Sequence, residues 1–196
     1  MNANLIVKNL SKTFNNAKIL DEINLNLIKG ESLAIIGTSG SGKSVLLKCI
    51  LGLIEPNRGS VIIDNINISN PSNKQYQNIL KKIGVTFQSN ALFDSYSIFE
   101  NVIFKIKYEK KYSYDHLIKL AENSLHMVGL DKSIFNLYPS QLSGGMQKRI
   151  AIARAIIDQP DFLFFDEPTT GLDPINSNII NKLIVDNVKR LGATAI

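Results

Sequence analysis

Gly37-Thr38-Ser39-Gly40-Ser41-Gly42-Lys43-Ser44 is the stretch that decides the fold. It reads Gly, four residues, then Gly-Lys-Ser, between an apolar run expected to be a buried strand, Ser32–Ile36, and a helix-forming run, Ser44–Leu51. The glycines let backbone N–H groups curl around anionic oxygens, and the helix start adds positive potential. Lys43 brings a mobile cation for β- and γ-phosphates, and the Ser44 hydroxyl suits Mg2+. A Gly/Ser turn matching by accident is the bland alternative, and at ordinary Gly usage it arises on the order of once in a hundred such chains. The stretch implies nucleotide binding.

Working outward, Leu5–Leu10 reads as an opening strand. Gly52 and Pro56 stop the helix, and Ser60–Ile63 and Ile66–Ile68 straddle Asp64-Asn65 in a hairpin pattern. Ile83–Phe87 is a further short buried strand. From about Asn90 to Ser140 the pattern turns to helices and loops, with Asp115–Val128 the clearest amphipathic helix. Gly145–Ile157 is a second strong helix, Phe162–Phe165 a continuous apolar strand, Ser177–Leu191 a helix, and Thr194–Ile196 the opening of a strand. Strands alternating with helices specify an α/β core with a mostly parallel sheet and a helical insertion near residues 90–145.

The 196 residues suffice for one domain with a proper core, and 44% apolar against 20% charged is a globular balance. Apolar runs such as Leu33–Ile36 are far short of the about 20 residues that a membrane-spanning helix requires. Met1-Asn2-Ala3-Asn4 lacks a secretory n-region, and a single cysteine excludes an internal disulfide, which points to a reducing, cytoplasmic setting. The net charge of +5 is carried by scattered lysines, with one cluster at Lys105, Lys107, Lys110 and Lys111, and reads as a solvated face rather than a nucleic-acid patch. His116 and His126 match no catalytic position, and Cys49, among Leu46, Leu47 and Ile50, reads as a small core residue.

Two further strings carry chemistry. Asp166-Glu167 closes the apolar strand Phe162–Phe165. A carboxylate at such a tip can hold Mg2+, and its neighbour can polarise an attacking water. Leu142-Ser143-Gly144-Gly145-Met146-Gln147 opens a helix whose first N–H groups lack intrahelical partners. The two glycines expose that backbone to an anion, whereas a plain Ser cap with a Gly pair is the structural alternative. The loop at residue 37 already supplies a phosphate site, so a second one is surplus unless chains pair.

With these strings in order and at these spacings, the chain resembles the ATP-binding-cassette ATPases along essentially its whole length. Gln88, Gly171-Leu172-Asp173 and the aromatic Phe14 complete the match. The resemblance implies a P-loop NTPase fold: a RecA-like core, an N-terminal antiparallel β subdomain, and an inserted helical subdomain. It implies one cassette over 1–196, with about 1–90 and 146–196 forming the β subdomain and core, and about 90–145 the helical part. It further implies Mg-dependent ATP hydrolysis, with Gly37, Thr38, Ser39, Gly40, Ser41, Gly42, Lys43 and Ser44 around the phosphates and Phe14 on adenine. Ser44, Gln88 and Asp166 would serve Mg2+, while Glu167, Gln88 and Lys43 would act in catalysis. Ser143, Gly144 and Gly145 would meet the γ-phosphate held by a second copy, and Asp173 would contact across that head-to-tail dimer.

Phe87-Gln88-Ser89-Asn90-Ala91-Leu92-Phe93-Asp94-Ser95, followed by Ser97-Ile98-Phe99-Glu100-Asn101-Val102, looks most like the ATPases of Mla/Mce-type lipid transporters. That likeness implies a subunit energising lipid movement across the bacterial envelope, bound peripherally to a membrane permease on the cytoplasmic face of the inner membrane, with no nucleic acid partner. The rival class, soluble cassettes of DNA repair, chromosome organisation or translation, inserts coiled coils or zinc elements or carries two cassettes. Here about 130 residues separate Gly37 from Asp166. Family members continue past Ile196 into a strand and a histidine that meets the γ-phosphate. The expectation is therefore a fragment, a chain completed by a partner, or a defective protein, binding ATP better than it turns ATP over.

Overall fold

Asn15 and Asn16 adopt φ of 45° and 65°, the left-handed pair that a two-residue hairpin demands. They join strand β1 (Leu5–Phe14) to β2 (Ala17–Leu27), paired antiparallel from Phe14↔Ala17 to Leu5↔Leu27 in a computed structural model describing residues 5–69, 71–109 and 111–196. Strand β3 (Arg58–Ile63) pairs with the other side of β1, and β4 (Ile66–Asn67) follows through a left-handed Asp64-Asn65 turn. The antiparallel sheet runs β2-β1-β3-β4. Its alternating inward residues, Leu5, Val7, Val61 and Ile63, are buried.

This sheet belongs to the first of two compact units, residues 1–82 with 192–196. The same unit holds helix α1 (Lys43–Ile50), helix α2 (Asn73–Lys81) and, near the end of the chain, strand β7 (Thr194–Ala195). Neither β2 nor α2 stood out in the sequence. The α2 signal was present as Ser72-x-x-Gln75, whose side chains cap each other's backbone N–H groups.

The expected strand Ser32–Ile36 is corrected. Ser32 makes a single parallel bridge to Ala195, with Leu33 N–H donating to the Ala195 carbonyl and Ala195 N–H to that of Glu31. Beyond that point the segment joins no ladder among the described residues, and Ile36 is 94% exposed. Strand β7 runs alongside only its first residues. An apolar run becomes a buried strand only where a ladder partner accompanies it.

The second unit, residues 83–191, contains β5 (Ile83–Thr86), α3 (Ile98–Ile103), α4 (Tyr114–Met127), α5 (Gly144–Ile156), β6 (Phe162–Phe165) and α6 (Pro174–Leu191). Strands β5 and β6 are parallel, in the register Ile83↔Phe162 to Thr86↔Phe165. Helix α5 packs against β5 so closely that Gly84 has no room for a Cβ, which would stand 2.1 Å from the Ala155 carbonyl oxygen. Helices α3, α4 and α6 also contact α5, which carries more buried residues than any of the three. Buried Asn101 of α3 shapes the preceding loop, accepting from Phe93 N–H (2.8 Å) and donating to the carbonyls of Phe93, Tyr96 and Ser97. Of the lysine cluster, Lys105 pairs with Asp158, Lys107 with Glu100 and Lys111 with Glu109. Lys110 and Met1–Asn4 lie outside the described residues.

Candidate functional site

In the first unit, β2 and α1 build the loop at residues 37–42. Gly42 caps α1 with φ 98° and no side-chain hydrogen bond. A Cβ there would press on the Ile19 carbonyl oxygen at 3.0 Å and on the Leu20 side chain at 3.2 Å, so both backbone conformation and close packing on β2 require glycine. Leu46 N–H donates to the Gly42 carbonyl and opens the helix, while Ser41 N–H turns back to Thr38. Gly37, Thr38, Ser39, Gly40 and Ser41 are exposed, with Ser44 half-buried on the first turn of α1. The Lys43 ammonium folds over the loop and donates to the Gly37 and Thr38 carbonyls at 2.9 Å each. These carbonyls orient the ammonium over the loop. Phe14, at the tip of β1, is 42% exposed and has the Lys12 ammonium 4.9 Å from its ring centroid.

In the second unit, the β5–β6 register does the positioning. Asp166 N–H continues the ladder to the Thr86 carbonyl, so the residues just past each strand emerge side by side. Gln88 Nε2 donates to Glu167 Oε2 at 2.8 Å, and Thr170 Oγ1 donates to the same oxygen at 3.0 Å. Glu167 has φ of 47°, a strained value for a non-glycine residue of the kind that accumulates at functional sites. Asp166 is 8% exposed at the strand tip.

Ser143 caps α5, its Oγ accepting from Met146 N–H at 3.3 Å. Asp173 does the same for α6, accepting from the N–H groups of Ile175 and Asn176 (3.0 Å each) and from the Asn176 amide (2.6 Å). These bonds, the Asn176 side chain first, hold the Asp173 carboxyl below the ordinary carboxylate value. Both residue types are thus accounted for within the chain. Gly144 is different: a Cβ there would meet nothing within 4 Å among the described residues. At Gly145 a Cβ would make only an ordinary 3.5 Å contact with Asn176.

Sequence reading missed two cations of α5. Lys148, 6% exposed, donates to the Gln88 carbonyl at 3.2 Å, and Arg154 donates through both terminal nitrogens, at 2.8 Å each, to the carbonyls of Asn90 and Ala91. The available signal was a lysine and an arginine on a helix otherwise rich in Ile and Ala. His116 and His126 are exposed on α4, and Cys49 is buried, its thiol pushed up by burial.

Comparison with known proteins places the chain in a family. The family model of the ABC transporter matches residues 20–170. The chain belongs to the ABC transporter family. Among relatives of this cassette, the intermembrane phospholipid transport system ATP-binding protein MlaF of Haemophilus influenzae is 43% identical over the whole chain, which covers 74% of that protein. The probable ribonucleotide transport ATP-binding protein mkl of Mycobacterium leprae is 36% identical over 97% of the chain. The cassette spans just over half, 54%, of the length of mkl. Among solved structures, the dimeric post-hydrolysis state of the ATP-binding cassette MJ0796 bound to ADP and Pi superposes with a TM-score of 0.87, at 35% identity over 97% of this chain and 85% of that one. The fold is the expected P-loop α/β cassette, with an antiparallel and a parallel sheet.

The donors expected to serve Mg2+, the Ser44 hydroxyl, the Gln88 amide oxygen and the Asp166 carboxylate, are hard oxygens of the kind that Mg2+ takes together with phosphates. Among the described residues no cluster of three or more His, Cys, Asp or Glu offers a competing metal site.

Proposed function

We propose that this cassette is the ATP-hydrolysing subunit of a membrane transporter, moving lipid of the phospholipid class. The observation that carries the hydrolytic part is the Gln88–Glu167–Thr170 constellation beside Asp166. Glu167 has one carboxylate oxygen held by two donors, so its orientation is set before substrate arrives, as a residue polarising an attacking water requires. Lys43 meets the β- and γ-phosphates of ATP, the N–H groups of the 37–44 loop cradle them, and Phe14 stacks on the base. Mg2+, when bound by Ser44, Gln88 and Asp166, supplies charge neutralisation on the phosphates.

The second part of the reading is a head-to-tail pair of such chains. Glycine is the poorest non-proline helix former, and nothing among the described residues requires it at Gly144. A ligand approaching that backbone from outside accounts for it: the γ-phosphate held by the other copy, with Ser143 and Gly145 alongside and Asp173 at the same interface. The solved dimer of a similar cassette supports this arrangement.

No helix among the described residues is long and apolar enough to cross a membrane. In this reading the cassette works with a membrane permease and lies peripherally on its cytoplasmic side. The phospholipid assignment draws on the MlaF relative, and the ribonucleotide name of mkl marks the competing cargo.

The test is co-purification of the tagged protein from detergent-solubilised membranes, with ATP turnover of the recovered material. A permease-like membrane protein, with turnover abolished by Glu167→Gln, is the expected result. Recovery of ribosomes or DNA in place of a membrane protein would overturn it.

A further inference from the structure

Lys148 is a buried cation that the proposed chemistry leaves without a role. Burying a lysine is costly unless its donors are used, and on the flank of α5 a Gln or Met would fill the same space at lower cost. Its ammonium reaches the backbone carbonyl of Gln88 at 3.2 Å. Its stem borders a small cavity shared with Thr86, Asn90 and Pro168, the segments that carry Gln88 and Glu167. Desolvation lowers its pKa, and the negative charge of Glu167 acts in the opposite direction. Lys148 therefore acts on both residues whose side chains meet at 2.8 Å, on Gln88 through a hydrogen bond and on Glu167 through charge.

Its place on the helix gives this contact a meaning. Helix α5 begins at Gly144, directly after the Ser143 cap, and Lys148 lies just over one turn further on. Six residues beyond, under two turns, Arg154 clamps Asn90 and Ala91 through a bidentate pair of 2.8 Å bonds. Both Asn90 and Ala91 adopt left-handed φ, 61° and 48°, so the loop after Gln88 is bent and held by the helix rather than by its own conformational preference. One rigid helix thus carries the Ser143–Gly145 anion-facing backbone at its start and two cations that fix the Gln88 loop along its length.

We propose that Lys148 is a positioning residue for ATP hydrolysis: by holding the Gln88 carbonyl, it sets the angle at which the Gln88 amide meets Glu167, and it links displacement of the Ser143–Gly145 end to that angle. This inference rests on the hydrolytic reading of Glu167, and it extends that reading to a residue outside the set expected to meet the nucleotide.

The test compares the purified wild-type protein with Lys148→Met, which keeps the stem and loses the donors, and Lys148→Arg, which keeps a donor and the charge. Glu167→Gln is the hydrolysis control. Steady-state turnover and the Kd for a fluorescent ATP analogue are measured, and the Gln88 side-chain amide is followed by 15N NMR, assigned by its loss in Gln88→Leu. Lys148→Met is expected to keep nucleotide affinity within about twofold, since the phosphate loop is untouched, and to lower kcat about 10- to 100-fold, the usual effect of losing a supporting hydrogen bond. Its Gln88 amide signal moves as it does in Glu167→Gln, and Lys148→Arg recovers most of both losses. An unchanged Gln88 signal with unchanged kcat overturns the proposal. So does an equal loss of binding and turnover, which is what a merely structural lysine gives. If wild type and Glu167→Gln turn over alike, it is the hydrolytic reading that fails; the Gln88 signal then still decides whether Lys148 sets that side chain.

Discussion

Adding one methyl group at Gly84 should cost more than any other single-carbon change in the second unit. A Cβ there would lie 2.1 Å from the Ala155 carbonyl oxygen, 2.8 Å from Leu163 Cδ2 and 3.0 Å from the Ala155 carbonyl carbon. Carbon contacts settle at about 3.5–4.0 Å, so β5 and α5 must part by more than about 1 Å. Neither partner yields easily. Helix α5 is pinned at Arg154 and buried along most of its length, and β5 is held in register by four residue pairs with β6. Overpacking of this severity falls at the upper end of the usual range, about 3 kcal/mol, against which the reduced chain entropy of Gly→Ala returns about 0.4–1 kcal/mol. A net loss of about 2–3 kcal/mol lowers Tm by roughly 4–12 °C for a chain of this size. Thermal unfolding by circular dichroism measures it. A Gly84→Ala melt within about 2 °C of wild type would refute the close approach of α5 to β5, and with it the packing that sets Gln88 beside Glu167.

Two other outcomes follow from the same geometry. Gly144→Ala, where the new methyl meets nothing among the described residues, should raise the melting temperature slightly, by up to about 1 kcal/mol of added stability, while suppressing ATP-dependent pairing in light scattering; preserved pairing would count against an approach to that backbone from outside. Because Asp173 is held below its ordinary value of 3.8, its contribution is fully present above that pH and is lost as pH falls through the lower folded value. Denaturant midpoints of wild type and Asp173→Asn should therefore differ at about pH 6 and converge at strongly acid pH, and a constant gap would contradict the assignment.

Much of this architecture was legible because it was written in short-range signals. The phosphate loop, the Asp64-Asn65 turn, the Phe162–Phe165 strand and the α5 start are all local patterns of Gly, Asn or apolar runs, and the structure places each within a residue or two of the reading. Strand β2 was missed because its pattern is irregular, with several register shifts against β1, so alternation never held long enough to be seen. Ser32–Ile36 misled in the opposite way, since an apolar run states that it can be buried but not that a neighbour exists to bury it. The side chains of the candidate site were named from sequence. What could not be read there was their support: Lys148 and Arg154 act through contacts 60 and 64 residues away, and no local period encodes such a pairing.

The candidate site also sorts its residues by how far the chain alone explains them. Ser143 and Asp173 would be good choices in any protein, because each caps a helix with its own side chain. Gly42 and Gly84 are explained too, by a left-handed φ in the first and by a neighbouring backbone in both. Gly144 answers to neither requirement, and Lys148 answers to a carbonyl that a neutral donor could have satisfied. A glycine that costs helix stability and a lysine that costs desolvation are retained on one helix, one just over a turn from the other. The economical account is that both serve an event outside the resting fold. On the proposed reading Gly144 would admit the γ-phosphate of a second copy, and Lys148 would carry the consequence to Gln88 and Glu167. On that account α5 is the element joining the pairing surface to the hydrolytic carboxylate, and its rigidity, secured by burial and by Arg154, lets a shift at its start be felt at Gln88.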